Sequence, residues 1–100
     1  MAKITERYES VLVTTVSQGE EHAKAISDKF EKLISENSIP ETLTVDVWGK
    51  RKLAYLINDE PEGFYVLFTF ESKPEFPMEI ERIAKITDGV LRSLTVLKQE

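Results

Sequence analysis

The stretch FYVLFTFE, residues 64–71, places Phe64, Val66, Phe68 and Phe70 at every second position. Side chains two apart on an extended strand point to the same side, so these four form one continuous apolar face. A face that wide is stable only when packed against another layer. The rest of the chain must therefore supply neighbouring strands and a cover. Tyr65 and Leu67 fall on the opposite side, where apolar groups imply partial cover by something else.

The remaining segments meet that demand in a definite order. YESVLVTTV, residues 8–16, is rich in β-branched residues and reads as a strand. Ser17 with Glu20 three positions later is a capping-box signal for a helix start. Ala23, Ile26, Phe30, Leu33 and Ile34 recur at helical spacing, and that helix is expected to end near Asn37. In TLTVDVWGKRKLAYLI, residues 42–57, Leu43, Val45 and Val47 alternate with Thr44 and Asp46 as a half-buried strand. Gly49 interrupts this strand and marks a bulge or bend. After the turn NDEPEG and the third strand, Pro74 and Pro77 bracket the entry to a second helix striped by Phe76, Ile80, Ile83 and Ala84. Asp88-Gly89 stops it, and VLRSLTVL is the fourth strand. Two right-handed βαβ units in this order predict an α+β, ferredoxin-like βαββαβ sandwich. Its four-stranded antiparallel sheet carries both helices on one face. One domain spans residues 1–100, with a short polar tail at 98–100.

Charge narrows the function. The formal net charge is -5, unlike that of a protein that grips nucleic acid unaided. The imbalance sits in residues 1–49, with nine acids and five bases; residues 50–100 hold nine and eight, including Lys50, Arg51 and Lys52 in a row. Screening cuts off distant charges beyond about 10 Å, so a local basic patch can still hold phosphate. Cations on an edge strand also discourage sheet-to-sheet pairing, which is the plain alternative for this cluster. There is no cysteine, which excludes disulfides and thiolate metal sites and suits a reducing compartment. No stretch approaches the run of about 20 apolar residues a membrane helix needs, and the expected location is the cytoplasm.

Signals for catalysis are missing. His22, the one histidine, lies among Glu20, Glu21 and Lys24 and reads as an exposed structural residue. Neither a metal site nor a histidine-activated nucleophile has the partners it needs, and no cofactor motif occurs. Acylphosphatases share this element order and hold phosphate with an arginine after the first strand; here that loop is SQGEE, with two acids and no cation. RNA recognition motifs also share the order. Glu62 stands where their third strand wants a cation, and the phenylalanines are better explained as core. The chain is expected to be no enzyme.

WGKRKLAY, a short strand, a turn and GFYVLFTF together resemble the bacterial small-subunit ribosomal protein six family. Tyr8-Glu9 at the first strand and ERIAKITDGVLRSLTV near the end resemble it too, so the likeness runs from about Arg7 to Lys98. The loop SENSIPETL departs from the glycine-containing turn many members have. The resemblance implies a scaffolding protein of the 30S subunit that binds the central domain of 16S ribosomal RNA. It also implies a partner, the small basic ribosomal protein eighteen of the same subunit, which would let an acidic chain sit on RNA. Neither DNA nor a membrane is implied. Carried onto this sequence, the family's RNA side comprises Arg7, Tyr8, Lys50, Arg51, Lys52 and Arg92. Because alternate strand residues point to opposite sides, the three clustered cations cannot share one surface. The other reading is a protein-interaction or ligand-sensing module that dimerises through its open sheet face, burying Tyr65 and Leu67.

Overall fold

The computed structural model describes residues 5–57 and 60–98, and their side chains except those of residues 40, 54–57 and 60. Strand β1 (Glu6–Thr14) leads to helix α1 (Glu20–Asn37), and a 3-10 turn (Pro40–Thr42) precedes β2 (Thr44–Ile57). Then come β3 (Glu60–Ser72), helix α2 (Phe76–Ile86) and β4 (Val90–Leu97). The strands pair antiparallel in the order β2-β3-β1-β4, so β3 and β1 are central and β2 and β4 form the edges. This is the ferredoxin-like α+β sandwich that the order of elements predicts.

Register fixes which residues share a face. Along β1, Tyr8, Ser10, Leu12 and Thr14 stand opposite Phe70, Phe68, Val66 and Phe64 of β3. Those four β3 residues are at most 3% exposed. They are covered by Ala23, Ile26, Phe30 and Ile34 of α1 and by Phe76, Ile80 and Ala84 of α2. The α1 residues recur at intervals of three and four, which puts them in one stripe along the helix. Each large side chain buried there contributes about 1.5–3 kcal/mol of hydrophobic stabilisation before chain entropy is charged against it.

Several local expectations are revised. Strand β1 runs two residues earlier than the composition suggests, because Glu6 and Arg7 still pair with Ser72 and Glu71. Ser17 does not cap α1. Gly19 holds the N-cap position at φ 93° with no side-chain cap bond. Ser17 is instead held at Thr15, whose Oγ1 accepts the Ser17 N–H at 3.1 Å and lies 2.8 Å from its hydroxyl. Residues 60–63, read as turn, belong to β3, and the turn at 58–59 lies outside the described residues. Val47 does point to the helix side, opposite Val66, yet it is 55% exposed. It sits on edge strand β2, and among the described residues neither helix reaches far enough to cover it. His22 is half-buried rather than exposed, because the α2–β4 connection brings Gly89 against it.

Candidate nucleic-acid interface

The face of the sheet away from the helices is laid out in rows by the strand register. Arg92, Val13, Tyr65 and Gly49 form one row across β4, β1, β3 and β2. Leu94, Val11, Leu67 and Asp46 form the next, and Val96, Glu9, Thr69 and Thr44 the one after. Beyond them Arg7 stands opposite Glu71, and its carbonyl accepts the Lys98 N–H at 2.8 Å. Leu94 is 51% exposed and Val96 45%. The β4 side of this face therefore carries an apolar field around Leu94, Val96, Val11 and Leu67, with Glu9 within it and arginines toward its margins. Six residues of β1 separate the Arg7 row from the Val13 row, roughly 20 Å of extended strand.

The β2 margin is aromatic. Trp48 stacks on Tyr65 with ring centroids 6.2 Å apart and planes 18° from parallel. Its Nε1–H donates to Asp46 Oδ2 at 3.0 Å. The Arg51 guanidinium carbon lies 5.4 Å from the centre of the indole. A cation over an indole face is attracted by the ring quadrupole, worth about 0.5–1 kcal/mol at exposed sites. Gly49, the predicted interruption, is the centre of a bulge: Val47 faces Val66 and Gly49 faces Tyr65, so Trp48 is the extra residue.

The six sequence-predicted residues divide between two surfaces. Arg7, Arg51 and Arg92 lie on the helix-free face. Lys50 and Lys52 lie on the other side, opposite Phe64 and Glu62. Tyr8 also faces the helices and packs its ring 5.9 Å from that of Phe70. Desolvation there, with Glu6 and Glu75 nearby, pushes its phenol pKa up. Sequence reasoning passed over Trp48 as a contributor to the site. Its only signal was its place between an apolar strand and the cation run, before a glycine.

Among the described residues, no group of three His, Asp or Glu side chains could hold a metal ion. No helix there is long and apolar enough to cross a membrane.

A family model described as ribosomal protein S6 matches residues 7–97. The chain belongs to the ribosomal protein S6 family. It is 46% identical over 93 residues to small ribosomal subunit protein bS6 of Thermoanaerobacter pseudethanolicus, covering 93% of this chain and 97% of that one. The bS6 of Clostridium beijerinckii is equally similar, 46% over 93 residues. The crystal structure of 30S ribosomal protein S6 from Thermotoga maritima superposes with a TM-score of 0.83 at 25% identity, covering 94% of this chain and 88% of that one. Proteins of the S6 family are structural proteins of the small ribosomal subunit, not enzymes, and work in the bacterial cytoplasm.

Proposed function

We propose that this S6-family chain binds the central domain of 16S ribosomal RNA jointly with ribosomal protein eighteen, and acts as a scaffold. The observation that carries the reading is the division of labour on the helix-free face. Its apolar field, around Leu67, Leu94 and Val96, has the chemistry of a protein dock. Phosphate finds no partner there. Arg7, Arg51 and Arg92 at the margins have the chemistry of phosphate contacts. A basic partner seated on the apolar field would supply most of the neutralisation that a chain of net charge -5 lacks. Tyr8, Lys50 and Lys52 belong to the proposed RNA side only if RNA also wraps the β2 edge and the start of β1.

Titrating the central-domain fragment of 16S RNA with and without the basic partner, at two salt concentrations, tests this. Tight binding is expected only with the partner present. Replacing Arg92 by alanine is expected to weaken binding across sequences and flatten the salt dependence by about one phosphate contact. An unchanged slope removes Arg92 from the interface. The exposure of Leu94 and Val96 equally suits a second copy of the chain on the same face. A stable homodimer in sedimentation, with no association to the basic partner, would favour that module over the ribosomal role.

A further inference from the structure

We infer that the bulge at Trp48–Gly49 selects Arg51, out of the three clustered cations, as the one that contacts RNA phosphate, with Trp48 and Gly49 as its positioning residues. The inference rests on the RNA-binding role proposed above.

The argument begins with parity. Residues 48 and 51 are separated by three, and on a regular strand an odd separation puts side chains on opposite faces. The bulge cancels that. One extra residue is absorbed between the Val47–Val66 and Gly49–Tyr65 pairs, and Gly49 takes φ 82° to do it. Arg51 consequently stands opposite Gly63, on the side of Tyr65, while Lys50 and Lys52 point the other way. Gly63 has no side chain to lay across Arg51 from the neighbouring strand.

The indole beneath Arg51 is itself fixed. Asp46 Oδ2 accepts its N–H at 3.0 Å and Tyr65 lies against it, so the ring offers a plate of set orientation. Asp46, the carboxylate on this stretch of the face, is thereby engaged with the indole. A guanidinium carbon 5.4 Å from the ring centre is attracted to the indole through its charge and keeps the planar N–H edge for an acceptor. That edge matches phosphate in two-point fashion, which an ammonium cannot do. The arrangement gives a pre-oriented phosphate donor beside the apolar field, at the margin where RNA would meet the docked protein.

The test uses the full chain with its basic partner and the central-domain RNA fragment, with binding followed over a salt series. Arg51→Gln is expected to weaken binding about tenfold and lower the salt slope by about one. Lys50→Gln and Lys52→Gln are each expected to stay within about twofold. Arg51→Lys and Trp48→Leu should keep the slope while losing affinity, as expected when charge remains and orientation is lost. In the RNA-free chain, the Arg51 side-chain protons should show an upfield ring-current shift that Trp48→Leu abolishes. Equal losses for all three glutamine variants, or no loss for Arg51→Gln while the unaltered complex binds, would overturn the selection alone. Failure of the unaltered complex to bind would sink the RNA role itself.

Discussion

Gly89 offers the sharpest quantitative test of the packing between α1 and the sheet. It sits just after α2 at φ 94°, in the left-handed region that side chains disfavour. A β-carbon built there would lie 2.7 Å from Ile26 Cδ1 and 3.2 Å from His22 Nε2. Ile26 belongs to the buried core, so it cannot simply swing into water. The loop cannot retreat freely either, because the Thr15 N–H donates to the Gly89 carbonyl at 2.7 Å. Gly49 is the control: its φ is 82°, with no heavy atom within 4 Å of the built β-carbon.

Alanine at a left-handed position costs about 1–2 kcal/mol in the folded state. Loss of glycine's freedom in the unfolded chain returns about 0.4–1 kcal/mol. Gly49→Ala should therefore destabilise by roughly 0.5–1 kcal/mol. Gly89→Ala carries the same conformational cost plus overpacking of about 1–3 kcal/mol, for a total of about 1.5–4. Since 1 kcal/mol moves the midpoint of a domain this size by about 4–8 °C, Gly89→Ala should lower Tm by at least twice as much as Gly49→Ala. Urea unfolding followed by circular dichroism, with an unchanged slope on denaturant, gives both numbers. Adding Ile26→Val removes the crowding methyl, so the double variant should lose less than the sum of the single changes. Equal losses at the two glycines, or strict additivity with Ile26→Val, would refute the crowding argument.

Other consequences follow from buried polar groups. The hydroxyl of Thr14 is buried with no hydrogen-bond partner, so Thr14→Val should stabilise by about 1 kcal/mol in the same unfolding assay. Thr95 donates its hydroxyl proton to the Ser10 hydroxyl at 2.9 Å, and Ser10 is 1% exposed. Ser10→Ala should therefore cost about 1–2 kcal/mol, most of it recovered when Thr95→Val removes the stranded partner. The folded-state pKa of Tyr8 is raised, so the native state holds the phenol proton more tightly than the unfolded chain. Its contribution is full below the unfolded value and is lost as pH rises through the folded one, in the alkaline range. Tyr8→Phe should remove that part of the alkaline loss, read as the difference between the two unfolding curves.

Much of the fold could be read from the sequence because its strongest signals were local and redundant. Phe64, Val66, Phe68 and Phe70 alternate without interruption, and each lands in the core. The α1 stripe likewise follows from spacing alone. The failures share a cause: each depends on a neighbour far along the chain or on a departure from regular geometry. Ser17 has the right spacing to Glu20, but its own hydrogen bonds go to Thr15. Val47 has the right parity for burial and lacks only a helix above it. The aromatic margin is the largest omission. A period of two places Trp48 and Arg51 on opposite faces, and only the bulge unites them.

The two edges of the sheet bear on why the cations are where they are. Strands β2 and β4 are both edges, equally open to pairing with another sheet. Guarding an edge against aggregation calls for charge wherever an edge is open. Yet β4 carries a single charge in eight residues, Arg92, while Leu94, Val96 and Leu97 stand exposed on it. β2 has three cations in succession together with a bulge. Edge protection alone gives no reason to treat the two edges so differently. A partner covering the apolar field beside β4 and RNA meeting Arg51 of β2, as proposed, would give each edge what it carries. On that account Lys50 and Lys52 guard the rim of the helix side, and Arg51 is turned by the bulge toward the other face. The distinction is physical: a guard needs only charge, whereas Arg51 is drawn over the Trp48 ring on the other face.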